Sequence, residues 1–294
     1  MAIKIYTKQY AGMLPDIFEA KSHFLRTFGG RLQVVDGIKE TDVFMELKVS
    51  DADVVIQDYS TDPNVAFGSG TGNSSRFGPR HEIKSVNEQV EYDAPLAIHE
   101  GIDDFTVNDI PDQVVAERLA KHAEAWTEHL NGVFSETISA SASETLTGEL
   151  TAEGVTKVFN EARSKFTNNK ISKTIGRTAY VTSEVYNLLV DSGLTTTAKR
   201  SSANVDSGEI ERFKGFVLEE LADEYFQTGE NIYFVADNVG VAGIGINVAR
   251  TMDSEDFAGV ALQGAAKYAK YIPEKNRAAI LKATLTEPAE EPAA

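Results

Sequence analysis

The sequence predicts an α+β protein in which an extended β-hairpin precedes a long helix and a mixed α/β region. Three observations favour this class. Two segments in the first hundred residues alternate apolar with polar residues, as half-buried strands do. A run from Pro111 repeats apolar residues every three or four positions, which is typical of a helix. Further along, strand-like and helix-like segments alternate.

Composition excludes several classes of protein. With 294 residues, of which 42% are hydrophobic, the chain can bury a sizeable core. It has no cysteine, which excludes disulfides, thiolate metal sites and cysteine nucleophiles. A net charge of −17 repels phosphates, so we expect no broad nucleic-acid surface. The chain shows no signal-peptide pattern and no apolar run of about 20 residues, so we expect a cytoplasmic protein without a membrane partner.

The first 40 residues are predicted to form an arm. Pro15 can open a short amphipathic helix that continues through Phe24 and Phe28 and ends at Gly29 and Gly30. So short a helix is marginal by itself, so its phenylalanines must pack on something.

A hairpin is predicted from two alternating segments, Val43 to Val49 and Val90 to Ile98. Between them lies a Gly/Ser-rich tip, residues 64–80. A two-stranded arm has a sheet face without a partner in its own chain, so we expect a neighbour to cover it. A loosely ordered surface insertion is the alternative.

Helices and strands then follow in a regular order. The helix from Pro111 is predicted to be about 40 Å long and to end in the segment 139–147, and a second helix runs from Thr151 to Phe166. Residues 177–182 read as a buried strand, and Ser183 caps the helix after it. Further strands are predicted in FKGFVLEEL, NIYFVAD and the two closing segments, whereas VAGIGINVAR fits a strand or a helix edge.

No motif indicates catalysis. Gly240, Gly243 and Gly245 have the reverse of the dinucleotide spacing, and no P-loop lysine accompanies them. The five histidines form no zinc-binding pattern, and His122 and His129 share a helix face that suits packing. We therefore expect no enzyme activity, no cofactor and no metal.

This order of parts resembles the major capsid proteins of tailed bacteriophages, which have the Hong Kong ninety-seven fold. AYVTSEVYNLLVDSG looks like the family's strand and Ser-capped helix, and FKGFVLEE looks like its Gly-centred strand. ALQGAAKYAKYIPEKNRAAILKATL is similar to the closing strands. The similarity covers nearly the whole chain through residue classes and not through fixed signatures.

The resemblance implies a domain plan and a function. It implies an arm (1–40), an extended loop (41–101), a peripheral domain (102–173 and 268–287), an axial domain (174–267) and an acidic tail (288–294). The implied function is a shell subunit of the virion, assembled in the host cytoplasm. Its partners would be itself in hexamers and pentamers, a separate scaffolding protein, a portal, and enclosed DNA without sequence-specific contact.

Candidate inter-subunit contacts are aromatic and arginine side chains of the loop tip and the arm: Phe67, Arg76, Phe77, Arg80, Phe24 and Phe28. Three other functions stay open. An encapsulin-like nanocompartment shell would enclose an enzyme, a cytosolic α/β enzyme would bind a nucleotide at GVAGIG, and a tail-tube or adhesin component would form rods or trimers.

Overall fold

The computed structural model describes residues 22–36, 43–50, 54–62, 65–66, 75–80, 82–83, 85–105, 111–194, 203–204 and 209–288. The chain forms two compact units. The hairpin unit is Thr41–Glu91, and the main unit comprises Met1–Glu40 and Tyr92–Ala294. Among the described helices, none is long and apolar enough to cross a membrane.

The described elements are strands, three α-helices and two short 3-10 helices. The strands are β1 (Gln33–Asp36), β2 (Val43–Ser50), β3 (Ser85–Glu91), β4 (Leu96–Asp103), β5 (Glu144–Glu149), β6 (Arg177–Thr182), β7 (Ala203–Asn204), β8 (Glu209–Ile210), β9 (Arg212–Phe213), β10 (Phe216–Leu221), β11 (Ile232–Ala236), β12 (Val241–Asp253), β13 (Gly259–Tyr271) and β14 (Ile280–Thr286). The α-helices are α1 (Pro111–Ser141), α2 (Ala152–Asn168) and α3 (Ser183–Leu194), and the 3-10 helices are Asp223–Tyr225 and Glu274–Ala279.

The main unit contains two large sheets. A four-stranded sheet has the order β1-β12-β13-β4, in which the long strands β12 and β13 pair antiparallel. A six-stranded sheet has the order β5-β14-β11-β6-β10-β9, in which β6 pairs parallel with β10 and antiparallel with β11. The hairpin unit contains the antiparallel pair β2-β3, and β7 pairs with β8.

Helix α1 has the predicted place and pattern. Its 31 residues make it about 46 Å long at 1.5 Å per residue. It buries one stripe of apolar residues, namely Ala123, Trp126, Leu130, Phe134 and Ile138. The helix ends at Ser141, inside the Ser/Ala/Thr segment that was predicted to end it.

Helix α2 confirms the second helix prediction. The Thr151 side chain accepts a hydrogen bond from the Gly154 N–H at 3.1 Å, which satisfies a free donor of the first turn. The apolar residues at three- and four-residue spacing are buried: Val155, Val158, Phe159, Ala162 and Phe166.

An aromatic cluster joins α2 to the six-stranded sheet. Phe159 meets Phe213, Phe216 and Phe234 edge to face, with ring centroids 5.1, 6.0 and 4.8 Å away. Such pairs add about 0.5–1.5 kcal/mol each beyond their area burial. This packing makes Phe159 a centre of the main core.

A polar network fixes the end of α1 to the same sheet. Glu230 accepts hydrogen bonds from Lys282 at 2.6 Å, from Ser139 at 3.0 Å and from the Tyr233 hydroxyl at 2.7 Å. Although burial opposes its charge, these donors lower the pKa of Glu230 below its ordinary value. Since α1, β11 and β14 each contribute a member, the network fixes their relative positions.

Two strand predictions need correction. The segment Val90 to Ile98 is not one strand, because β3 ends at Glu91 and β4 begins at Leu96. Pro95 cannot donate to a strand ladder, and the Asp93 N–H instead bonds the Tyr268 carbonyl at 2.8 Å. Strand β5, which pairs with β14, was not predicted; its sequence ETLTGE lies in the segment assigned to the end of the helix.

The domain boundaries in the structure also differ from the expected ones. The hairpin unit ends at Glu91, whereas the extended loop was expected to reach residue 101. Strand β13 crosses the expected boundary at 267/268 without a break. Strand β14, expected with residues 102–173, shares its sheet with β6, β10 and β11 of the expected axial domain. Strand pairing therefore divides the main unit differently from the expected domains.

The described part of the arm, residues 22–36, is a turn followed by β1. Hydrogen bonds from Thr27 to Phe24 and from Gly30 to Leu25 form the turn, and Gly29 and Gly30 both have positive φ. No helix occurs in these residues, and residues 17–21 of the predicted helix lie outside the described part. The Thr27 and Tyr180 hydroxyls lie 2.9 Å apart, which fastens the turn to β6.

Candidate assembly surface

The hairpin unit has a regular base. Strands β2 and β3 pair in register from Ser50 opposite Ser85 to Met45 opposite Val90, and a bulge follows before Val43. The Gln89 side chain donates to Glu46 across the pair at 3.2 Å. Outside this pair, the described residues of the unit form no further strand.

Beyond the base, the two sides of the unit remain connected. The Ser60 N–H donates to the Arg76 carbonyl at 2.9 Å, and the Gln57 side chain donates to the Pro79 carbonyl at 3.0 Å. Gly78 has a φ of 76°, and a Cβ there would collide with the Gln57 side chain. The described part of the loop therefore has a defined structure.

Arg76 organises the loop from within. Its Nε donates to the Val65 carbonyl at 3.1 Å and its Nη2 to the Asp62 carbonyl at 3.4 Å. The guanidinium group of Arg76 therefore binds backbone carbonyls of its own loop. Whether Arg76 also contacts another copy stays a prediction.

Large apolar side chains are exposed throughout this loop. Val54, Ile56 and Phe77 are 94%, 95% and 76% exposed. The exposed set within the unit comprises Val54, Val55, Ile56, Tyr59, Phe77 and Ile83. Tyr59 and Phe77 meet edge to face with ring centroids 5.1 Å apart, so they form one aromatic pair. Six exposed apolar side chains on one small unit are typical of an interaction surface.

The predicted contact residues fall into three groups. Phe77 and Arg80 are exposed on the hairpin unit, whereas Phe67 lies outside the described residues. Phe24 and Phe28 are 0% and 1% exposed, so their prediction as inter-subunit contacts is wrong. They pack inside their own chain instead.

The partners of Phe24 and Phe28 explain this correction. The Phe24 ring lies 4.7 Å from Tyr180, and the Phe28 ring lies 4.6 Å from Phe134 on α1. The arm therefore contributes to the main core. Sequence pattern identified the apolar stripe but could not identify the surface that covers it.

Five exposed apolar residues of the hairpin unit were missed, namely Val54, Val55, Ile56, Tyr59 and Ile83. The first three are consecutive and β-branched, which is a strand pattern and therefore indicates burial within the chain. The available signal was their position inside a long polar excursion between two strands.

The glycine-rich segment does not form a nucleotide loop. Gly243 and Gly245 lie within β12, where β1 pairs on one side and β13 on the other. At Gly240, a Cβ would come within 2.9 Å of Ile272, Phe28 and the Tyr271 carbonyl. These glycines permit close packing, so they do not support the nucleotide-binding alternative.

The histidines of α1 are engaged in structural contacts. His122 Nε2 lies 2.8 Å from Glu100 Oε2, and Arg118 forms a two-pronged ion pair with the same carboxylate. The Arg118 hydrogen bond is the largest cause that lowers the pKa of Glu100, to about 2. His129 Nε2 lies 3.1 Å from the Tyr268 hydroxyl. The described residues contain no group of three or more His, Asp or Glu that could hold a metal ion.

Solved structures of phage capsids share this fold. A capsid structure of the cyanophage P-SCSP1u aligns with a TM-score of 0.62 and 9% identity over 87% of each chain. The mature capsid of bacteriophage PhiM1 aligns with a TM-score of 0.62 and 11% identity over 92% of this chain and 88% of that chain. A virus-like particle from Pyrococcus furiosus gives a TM-score of 0.51 and 12% identity over 95% and 99%.

No protein-family model and no curated protein sequence matches the chain. The likeness therefore lies in the three-dimensional arrangement and not in sequence. It confirms the predicted α+β class and the predicted capsid fold.

Proposed function

We propose that this chain, which has the fold of the tailed-phage capsid proteins, is a major capsid protein that assembles into the icosahedral head around a DNA genome. The observation that carries the proposal is the fold match over 87% or more of the chain with two phage capsids. A match over so much of the chain does not depend on one common motif.

The exposed apolar surface of the hairpin unit supports self-association. Burying one Val, Ile or Phe side chain contributes about 1.5–3 kcal/mol. Five such side chains, together with Tyr59, are exposed on the described part of one small unit. Coverage by another copy removes this surface from water and supplies the free energy for a repeated contact.

The contact residues follow from this arrangement. Phe77 and Arg80 of the hairpin unit contact the neighbouring subunit, and Phe67 and Arg76 belong to the same loop. One such heterologous contact, repeated around a rotation axis, builds hexamers and pentamers. Many modest contacts together then close a shell. The main unit then forms the peripheral and axial regions of each capsomer, with boundaries that follow its sheets.

The ion pairs of the main unit also fit a structural role. Glu100, Arg118 and His122 bind one another, and Glu230 binds Lys282. These groups connect elements of the fold. On this proposal the subunit is a structural protein of the virion and not an enzyme. It is assembled in the host cytoplasm, and its partners are a separate scaffolding protein, a portal and DNA.

Electron microscopy of the purified protein tests this proposal. The full chain is expressed alone and together with the gene product encoded just upstream, which is the natural candidate for a scaffolding protein. We expect closed icosahedral particles in at least one of the two preparations. Monomers in both preparations at high concentration would contradict the proposal.

The same preparations separate the alternatives. An enzyme that copurifies inside the particles would indicate a nanocompartment shell, the alternative that the virus-like particle from Pyrococcus furiosus keeps open. Rods or trimers would indicate a tail component. Saturable nucleotide binding by a soluble monomer would indicate an enzyme.

A further inference from the structure

One carboxylate-free stretch of this acidic chain is rich in cations. Residues 162–177, ARSKFTNNKISKTIGR, include five cations and neither Asp nor Glu, although the whole chain has a net charge of −17. The stretch covers the end of α2, the loop after it and the first residue of β6. A local excess of positive charge is therefore concentrated at one end of one helix.

Backbone geometry holds this loop in place. The Ile171 N–H donates to the Phe166 carbonyl at 3.1 Å, and the Lys170 N–H donates to the Thr167 carbonyl at 3.0 Å. Lys170 has a φ of 59°, so the chain reverses direction there. Arg177 returns to the same place, where its Nη2 donates to the Ile171 carbonyl at 3.2 Å.

A second segment brings another cation. The Asn169 side chain donates to the Ala278 carbonyl at 2.8 Å, which places the 3-10 helix Glu274–Ala279 beside the end of α2. Arg277 precedes Ala278 and is exposed. We call Arg163, Lys170, Lys173, Arg177 and Arg277 the basic patch.

The fold does not neutralise this patch. Lys165 belongs to the same stretch but pairs with Glu144 and Glu161, so we exclude it. Within the part of the chain that the structure describes, none of the five patch residues forms an ion pair. Asp237, which lies beside Gly176 and accepts a hydrogen bond from the Thr178 hydroxyl at 3.0 Å, offsets only part of this positive charge.

The patch residues also repel one another. Burial, and then the charge of Arg163, lower the pKa of Arg177 below its ordinary value. The dipole of α2 attracts cations at its end, but it supplies only about half an elementary charge. Stabilisation of the helix end therefore does not account for five cations.

The surroundings of the patch indicate the class of ligand. Protein partners bind through buried apolar and aromatic anchors, and the only large exposed apolar residue described in this stretch is Ile175. Its other exposed residues are small and polar, including Thr167, Asn168, Ser172 and Thr174. Hydroxyl and amide donors among lysines and arginines are the groups that contact phosphate oxygens in nucleic-acid complexes.

We infer that the basic patch binds the phosphate backbone of the nucleic acid inside the shell, without reading its sequence. This inference rests on the proposed function, because only a shell around a genome holds the patch against DNA. The rest of the chain has a net negative charge that repels DNA, so contact is concentrated at the basic patch of each subunit. Repetition over many subunits multiplies a weak contact.

Binding of a random-sequence DNA duplex to the purified full chain, measured by fluorescence anisotropy against salt concentration, tests the inference. The variant R163Q/K173Q/R277Q removes three exposed cations and leaves Arg177 and Lys170, which hold the loop. Each lost phosphate contact reduces the magnitude of the negative slope of log K against log salt by about 0.9. For three contacts, we expect the magnitude of the slope to fall by up to about 2.7. The control R31Q/K121Q/K157Q removes the same charge elsewhere and keeps the wild-type slope.

Three results would overturn the inference: no binding by the wild type at low salt, equal loss in both variants, or patch-dependent binding of polyglutamate that is tighter than that of DNA. The last result would identify an acidic protein as the partner. Electron microscopy of the same samples keeps the two proposals apart. Absence of wild-type shells both alone and with the upstream gene product contradicts the capsid function, whereas the DNA result decides the role of the patch.

Discussion

The main unit and the hairpin unit use apolar residues in opposite ways. The main unit buries its largest side chains completely, among them Tyr180, Tyr233 and Phe159. Among the residues of the hairpin unit whose burial is described, Val90 is the only buried hydrophobic residue, and six large apolar side chains are exposed. One chain therefore contains both a fully buried core and an apolar surface that is exposed to solvent.

This difference shows where each unit obtains its stability. A core of buried side chains makes the main unit stable within one chain, whereas a two-stranded hairpin is marginal by itself. Hydrogen bonds from Arg76 and Gln57 give the loop its shape but remove little apolar area from water. We expect a second copy to complete the hairpin unit, and four experiments test this contrast.

The largest effect is expected from deletion of residues 63–79. This deletion removes Phe77 and Arg76 together with the glycine-rich tip, while every element of the main unit remains. We expect a folded, soluble protein that forms no shells, because the tip contributes to neighbours and not to its own core. Circular dichroism and electron microscopy measure the two outcomes. Global unfolding of the variant would mean that the tip supports its own chain.

A substitution in the core of the main unit should instead lower the free energy of unfolding. Phe159→Ala removes a ring that contacts Phe213, Phe216 and Phe234, so we expect a loss of about 3–5 kcal/mol in the free energy of unfolding. Denaturant titration of the unassembled protein measures this loss. The exposed Phe105 provides the matched control, because Phe105→Ala should change stability by less than about 0.5 kcal/mol. Similar losses in both variants would remove the contrast between core and surface.

A single exposed ring should affect assembly alone. Phe77→Ser leaves the free energy of unfolding nearly unchanged, because the ring is 76% exposed and contacts only Tyr59 among the described aromatic residues. It weakens each intersubunit contact by about 1.5–3 kcal/mol, so the concentration needed for assembly rises roughly tenfold to a hundredfold. Light scattering against protein concentration measures this threshold. Phe77→Leu keeps an apolar side chain and should largely restore assembly; the same threshold in wild type and Phe77→Ser would exclude this ring from the interface.

The smallest effect concerns acid stability within the main unit. The pKa of Glu100 is lowered from 4.5 to about 2, chiefly by the Arg118 hydrogen bond. A carboxylate with a depressed pKa stabilises the fold above its ordinary pKa, and this contribution disappears as pH falls from 4.5 towards 2. Solvent screens the pair, so we expect a loss of about 1 kcal/mol.

Chemical denaturation across this pH range measures the loss. In Glu100→Gln the carboxylate is absent, so its part of the pH dependence should disappear while the dependence from other carboxylates remains. The same pH dependence in variant and wild type would show that Glu100 contributes nothing.

Sequence patterns predicted the parts of the fold whose signals are local. The 3.6-residue repeat identified α1 and α2, and the start predicted at Thr151 lies one residue before α2 begins, at its capping residue. The buried strands β6 and β11 have continuous apolar stretches. Each of these elements contains its own periodicity or cap, so no distant partner was needed to identify it.

Features that depend on distant partners were missed. Strand β5 has the polar sequence ETLTGE and becomes a strand because β14 pairs with it from residues 281–286. Phe24 and Phe28 were expected at an interface, because sequence cannot show that Tyr180 and Phe134 cover them. Val54 and Ile56 have the same chemistry as core residues, so only coordinates reveal their exposure.

The expectation that a second copy covers the hairpin unit can be tested by hydroxyl-radical footprinting with mass spectrometry. Oxidation of Tyr59 and Phe77 is compared between assembled shells and unassembled subunits, and the fully buried Tyr180 serves as the internal control. We predict that both exposed rings are oxidised in the subunit and protected several-fold in the shell, while Tyr180 stays unreactive in both. Equal oxidation in the two states, or protection already present in the unassembled subunit, would contradict the expectation.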